Sequence, residues 1–357
     1  MNRTKTWLLT LGLLYVLSCT ALAQERFTGY EQADIPVPEP EMGDSWFAQP
    51  QLSTYGRGPQ PPNGVYFNID YMRLAIQTPE AAFIGQPGSS LSTGVLINEF
   101  DNGSRYELGN RVDDKGWLLG GFQISQNQRI QGGNASIIFG NTGGVLGDLF
   151  EVVDVHNQAN AWGLEIMRTW RLEPARVPYA PVCEFMLGAR YLYFGDIYKF
   201  DGFSDDSEGV WRTKSENNLV GPQIGMRMSK QYGPWFFSFE PRGFAGFNFQ
   251  SINQEGELPG SILNVPSAAA FNNSQHNDTF SPVVEIRADI AYLLTRKVRT
   301  RFGYTGYWID NLARAPSMVN YAVPSVLSPA GPAMGINGNN EQDAYIQGIY
   351  WGIEVNH

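Results

Sequence analysis

The chain has 357 residues, a formal net charge of −10, and 39 Gly, 17 Tyr, 21 Phe and 9 Trp. The acidic balance argues against a nucleic-acid partner, because phosphate binding wants a basic face. Glycine and aromatics in these numbers suit strands, tight turns and aromatic belts rather than helices.

The N-terminus reads as a targeting signal. Arg3 and Lys5 form a positive n-region, Trp7 to Leu17 an apolar h-region, and Ala21-Leu22-Ala23 a small-residue cleavage site. Cleavage after Ala23 would make Gln24 the first mature residue. A competing reading of Val16-Leu17-Ser18-Cys19 makes Cys19 a lipid-modified cysteine, although Leu17 fits that pattern poorly. Once the signal is gone only Cys183 remains, so no intrachain disulfide is expected. No later segment is apolar over 18 residues, the length a spanning helix needs. Residues 24–62 contain IPVPEPEM and GRGPQPPNG. Prolines this dense block both helix and central strand and predict an extended arm.

Residues 63–357 read as strands separated by turns and long loops. In 64–76, Val65, Phe67, Ile69 and Tyr71 alternate with Tyr66, Asn68 and Asp70. Segments 104–112 and 115–124 flank a tight turn at 112–115, and 135–139 and 149–155 are short further candidates. In 160–172, Trp162, Leu164, Ile166 and Trp170 share a face with one misfit, Arg168. Strands follow at 182–197, 217–229 and 235–250, and a last one is AYIQGIYWGIEVNH. The clearest pattern is the hairpin in 279–310. Val284, Ile286, Ala288, Ile290, Tyr292 and Leu294 oppose Glu285, Arg287 and Asp289 on one arm. After the turn Thr295-Arg296-Lys297, the face Val298, Thr300, Phe302, Tyr304, Gly306 and Trp308 opposes Arg299 and Arg301. Each arm is about twelve residues, longer than the usual globular strand of about five or six. A tilted strand crossing a bilayer needs about nine to eleven.

The connections alternate. Short ones at 112–115, 173–181, 230–234 and 295–297 separate long ones at 77–102, 125–159, 198–216, 251–280 and 311–343. Meandering outer-membrane barrels carry short periplasmic turns and long external loops in this rhythm. The expected fold is therefore all-β, an antiparallel meandering transmembrane β-barrel with long external loops. It has ten strands, or twelve if the two short candidates pair separately.

SENNLVGPQIGMR, FEPRGFAGFNFQ, FMLGARYLYF and RYELGNRVDDKGWLLGGF together resemble the β-barrel porin-7 (BBP7) family, outer-membrane barrels typical of planctomycete bacteria. The resemblance covers roughly residues 64–357 and implies an outer-membrane barrel without established substrate or catalytic residues. Strands bound for the barrel-insertion machinery usually end in an aromatic, whereas this chain ends Val355-Asn356-His357.

Candidate sites are few. Gly43-Asp44-Ser45 with Glu354 to His357 loosely echoes a GDS-type esterase. That chemistry needs a Ser at a strand end and a His oriented by a carboxylate, and Ser45 lies in the proline-rich arm. His156, His276 and His357 lack paired metal-ligand spacing. Asp201, Asp205, Asp206 and Glu208 lack EF-hand spacing and read as a solvated acidic loop. Gly120-Gly121 and Gly143-Gly144 lack a strand–GxGxxG–helix context. With the apolar faces toward lipid, the lumen would receive Asp70, Arg105, Glu107, Arg111, Glu165, Arg171, Glu184, Arg190, Arg227, Glu240, Arg242, Glu285, Arg287, Asp289, Arg299 and Arg301. The expectation is a non-enzymatic outer-membrane protein without cofactor or metal, either a narrow small-solute channel or a side-chain-plugged barrel. The alternatives are a structural or adhesive surface protein acting through its loops, and a soluble secreted β-protein. Expected partners are outer-membrane lipid, the insertion machinery, and small solutes or surface partners.

Overall fold

Alternation of period two yields strands, and these strands find both neighbours by closing on themselves. In the computed structural model, described for residues 64–80, 82–85, 88–93, 96, 99–112, 114–139, 146–172, 182–205, 207–258, 269–295, 297–321, 334–338 and 340–356, the chain is almost entirely β. The elements are β1 (Gly64–Ile76), β2 (Asp101–Val112), β3 (Lys115–Phe139), β4 (Leu146–Arg171), β5 (Val182–Ser204) and β6 (Ser207–Tyr232). They continue with β7 (Trp235–Leu258), β8 (Ala269–Leu293), β9 (Val298–Leu312), β10 (Val319–Asn320), β11 (Gly335–Ile336) and β12 (Gln342–Asn356). Ten of them form a closed antiparallel barrel in chain order, with β12 completing the ring against β1. β10 and β11 pair as a small separate ribbon. The signal with its Ala23–Gln24 junction, the arm 24–62 and the connection 173–181 lie outside the described residues.

The sequence expectation needs one correction. Residues 125–159, 198–216 and 251–280 are expected as loops, yet most of them continue the barrel wall. The β3–β4 ladder runs unbroken from Lys115↔Trp170 to Gly133↔Val152, then on to Phe139↔Leu146. The candidates 135–139 and 149–155 are thus the far ends of β3 and β4, and the barrel has ten strands rather than twelve. β3 has 25 residues and β4 has 26, against 13 in β1. The long hairpins therefore stand well above the shorter strands β1, β2, β9 and β12.

The chemistry of the two faces explains the missed extensions. Toward the short turns the outer wall is apolar: Val65, Phe67, Ile69, Tyr106, Leu108, Trp117, Leu119, Trp162, Leu164 and Ile166 are exposed. The stretch Trp162 to Trp170 on β4 is about the length that crosses a bilayer. Arg168, the misfit on this face, lays its guanidinium 5.0 Å from the Trp117 ring centroid. Farther along the same strands the faces exchange character while the in–out parity is kept. On β7 the outward residues change from Phe247 and Phe249 to Ser251, Asn253 and Glu255, and the inward ones from Asn248 and Gln250 to a mixture of Ile252, Gln254 and Leu258. A run such as QSINQEGEL has little contrast between alternate positions, so its sequence reads as loop. Its neighbours' ladder hydrogen bonds make it strand.

Two apolar layers fill the interior. One, at mid-barrel, contains Met72, Phe122, Phe194, Leu219, Phe244, Tyr307, Ile309 and Ile346. The other lies in the extended part and is built on Phe150, Phe200 and Trp211, with Ile84 and Tyr321 added from the loops. Phe200 and Trp211 stack with centroids 3.9 Å apart.

Ile290 stands on the outer wall of β8, 45% exposed. Ile290→Arg is expected to destabilise the barrel by about 2–4 kcal/mol in a bilayer. Asn253→Arg, on the polar outer wall of β7, is expected to change little. Urea unfolding in lipid vesicles measures both, and equal effects would mean that the apolar band does not face hydrocarbon.

Candidate functional site: the charged lumen

All sixteen residues expected in the lumen lie on the inner wall. Eleven of them are buried, while Arg111, Arg171, Arg227, Asp289 and Arg299 line the more open end near the short turns. Their positions follow from parity. Asp70 faces Arg105 across the β1–β2 ladder, and Glu184 faces both Arg171 and Arg227 from β5.

The pairing goes beyond adjacent strands. Arg105 donates to Asp70 at 2.8 Å, and Arg111 Nη2 lies 2.7 Å from Glu184. Arg287 on β8 reaches Glu107 on β2 at 2.5 Å, and Arg190 on β5 reaches Glu285 on β8 at 2.7 Å and Glu165 at 3.1 Å. Arg242 on β7 donates to Glu165 on β4 and to its own strand's Glu240, which also accepts from Arg227. Arg111–Glu184, Arg287–Glu107, Arg190–Glu285 and Arg242–Glu165 join strands that are not neighbours, so these side chains bridge the bore, while Arg190–Glu165 lies across the adjacent β4–β5 ladder. Asn68 and Gln223 add donors at 3.0 Å each to Glu107 and Glu165. Arg301 joins Asp289 at 3.2 Å, and the Tyr350 hydroxyl donates to the same carboxylate at 2.8 Å.

Glycines make space for this layer. A Cβ at Gly120 would lie 2.6 Å from Glu165 Oε1, and one at Gly352 would overlap Asp70. Gly120 faces the carboxylate that Arg190 and Arg242 hold.

Above the ions comes the mid-barrel apolar layer, and above that a polar latch. Asn311 takes a left-handed conformation at φ 54°, where β9 turns. Its carbonyl accepts from Asn248, Gln250 and Ser281. The following segment, 313–319, is buried without a break. Asn217 on β6 donates to the Ala313 carbonyl at 2.9 Å and accepts from its N–H at 2.8 Å. Arg314, fully buried, donates to Asp196 and, at 3.2 Å, to the Gln77 carbonyl. Below the ions, toward the short turns, a cavity of about 130 Å³ is bounded by Arg111, Arg227, Arg299, Glu184, Glu354 and Tyr66.

Sequence reasoning misses Glu354, Asp196 and Arg314. Glu354 alternates with Ile353 and Val355 and was available from parity as the partner of Arg299. Arg314 sits in a segment without periodicity, and nothing local marks it as buried. The remaining candidates stay apart. His156 and His276 are on the outer walls of β4 and β8, while Ser45 and His357 lie outside the described residues. His156 Nε2 is 3.2 Å from Asp154, but Arg129 also holds that carboxylate through two nitrogens, and this hydrogen bonding keeps its pKa below the usual value. Asp201 pairs with Lys199 at 2.7 Å, and Asp206 is outside the described residues. Among the described residues no three His, Cys, Asp or Glu side chains gather as a metal site.

Residues 207–357 match the model of the family described as Putative beta barrel porin-7 (BBP7). Over that stretch, the C-terminal part of the barrel, the chain is similar to the BBP7 family. The match takes in β6 to β12, and with them Arg227, Glu240, Arg242, Glu285 and Arg287 of the lumen layer. No curated protein matches the sequence. Among solved structures, the outer membrane protease OmpT from Escherichia coli is similar at 12% identity, covering 83% of this chain and 97% of that one, with a TM-score of 0.52. The transport unit of the autotransporter AIDA-I from Escherichia coli aligns at 9% identity over 84% of this chain and 92% of that one, with a TM-score of 0.26. The Pseudomonas putida toluene transporter TodX aligns at 9% over 88% and 95%, with a TM-score of 0.24. The first likeness shows the outer-membrane barrel fold, and the other two carry no argument about this chain.

Arg287→Ala would leave Glu107 and Glu285 buried without their shared cation. Removing one partner of a buried pair costs about 3–5 kcal/mol, and that loss is expected in urea unfolding of the refolded protein in detergent. Lys199→Ala breaks an exposed pair and is expected to cost less than about 1 kcal/mol. Similar losses for the two would remove the lumen layer from its stabilising role.

Proposed function

We propose that this barrel stays closed to solutes at rest and serves as a rigid post, carrying its long hairpins and loops at the cell surface. The observation that carries this reading is the layer of buried ion pairs joining non-neighbouring walls, Arg287 with Glu107 and Arg242 with Glu165. Ten strands make a bore close to that of small barrels, which side chains fill, whereas aqueous porins need about 16–18. The apolar layer and the latched segment at Arg314 supply two further closures. Function then falls to what stands outside: polar outer walls on the extended hairpins, bearing Arg129, Lys199, Arg212 and Glu255. OmpT is an outer membrane protease. A likeness of fold brings no catalysis here, and the proposal assigns none, nor any metal or cofactor.

The proposal places the chain in the outer membrane, with its lipid and the insertion machinery as partners. It is expected to sediment with outer membranes and to need detergent for extraction. Recovery in the soluble periplasmic fraction would favour the secreted β-protein instead.

A narrow small-solute channel is the second reading, supported by the cavity of about 130 Å³ at the short-turn end. Planar-bilayer recording separates the two. Small or absent current is expected from the wild-type chain, and a large, steady, unselective current would establish the channel. Arg299→Ala with Arg301→Ala should free Asp289 and Glu354 from their cations, so any current that appears is expected to favour cations. Anion preference in that variant would contradict the assigned pairing.

A further inference from the structure

The outer wall is not uniformly smooth. Ladder registers from β6 through β9 to β12 define two rows. The row nearer the short turns holds Lys230, Phe237, Ile290, Phe302 and Trp351. The next row holds Met228, Phe239, Ala288, Tyr304 and Ile349. Ala288 is the one small side chain among these ten, and it lies between Phe239 and Tyr304. A groove of about 450 Å³ opens there, walled by Phe239, Ile290, Phe302 and Tyr304, with Lys230 at its margin.

We propose that this groove holds one phospholipid of the periplasmic leaflet, with an acyl chain over Ala288 and the phosphate at Lys230. The groove's walls are hydrocarbon and aromatic, which suits a chain and offers a headgroup nothing. Lys230 supplies the complementary charge. It is half-buried on the outer wall, its ammonium 4.7 Å from the Tyr232 ring centroid, and among the described residues it is in no ion pair. A cation so placed at the edge of an apolar band meets the level of the phosphates, and its aliphatic stem can lie along the apolar wall. It stands beside the short Tyr232–Trp235 turn, and short turns of such barrels are periplasmic. That assigns the leaflet. Lipids over a smooth wall exchange freely, whereas an apolar slot with a half-buried cation at its margin retains one molecule.

This inference rests on the barrel standing in a membrane, not on the closed bore, so bilayer conductance and lipid retention fail independently. The test uses the full chain extracted in mild detergent, washed, and supplied with either phosphatidylglycerol or diacylglycerol of the same chains. Native mass spectrometry counts the molecules retained. One phosphatidylglycerol per chain is expected on the wild type. Ala288→Phe fills the groove and is expected to lower retention at least about tenfold. Lys230→Gln is expected to reduce phosphatidylglycerol to the level of diacylglycerol while leaving diacylglycerol unchanged. Ala189→Phe, the same change on the outer wall of β5, is expected to leave retention as in the wild type. Wild-type retention in Ala288→Phe, an equal loss in Ala189→Phe, or indifference of phosphatidylglycerol to Lys230→Gln would overturn the proposal.

Discussion

Hydrocarbon offers no hydrogen-bond partner to a backbone N–H or C=O, so a strand crosses a bilayer only when both of its edges are paired. The ring of ten strands closed by β12 on β1 meets that demand, and much else follows from it. Closure at this strand number leaves a bore that side chains can span. Parity then sends every second residue into that bore, where water is scarce, and the outer wall takes the apolar half of the alternation. The charged residues are inside because the outside is lipid, and they are paired because the inside is narrow.

Ionic packing of a core is an uneconomical way to gain stability, since desolvation offsets most of the Coulomb attraction. What the layer supplies is geometry. Arg287 reaches Glu107 only if β8 and β2 stand at one level across the bore, and Arg190 reaches Glu285 only if β5 and β8 do. These bonds check the register of strands that never touch through their backbones. The glycines are part of the same arrangement, because Gly120 and Gly352 leave the volume that Glu165 and Asp70 occupy.

The membrane-level half of the barrel was legible because its alternation has high contrast. Val284, Ile286 and Ile290 against Glu285, Arg287 and Asp289 could be assigned to opposite faces before any partner strand was known. The upper half was not legible. There Asn253 and Glu255 face outward while Asn273 and Gln275 lie on the inner parity of β8, so both faces are polar over several residues and the period vanishes. The Asp196–Arg314 pair was hidden for another reason. Its burial is created by a segment that leaves the wall at Asn311 and folds into the bore, a tertiary event with no period of its own. Glu354 differs again, since parity alone would have placed it beside Arg299.

The exchange of character along β7, with parity unbroken from Phe237 to Leu258, makes the strand a gauge of depth as well as of side. A one-residue deletion below Phe249 would turn each following side chain to the wrong wall. A two-residue deletion would keep every side chain on its proper wall and yet draw Ser251 down toward the level of the acyl chains. Strand length between turn and exchange point is thus under a constraint that hydrophobicity averages do not reveal. The same constraint ties the ten strands together, because a shift in one would lift its share of the ion layer out of line with the others. Surface loops of such a barrel can lengthen or shorten freely, while the wall beneath them can change only in register-preserving steps taken by several strands at once.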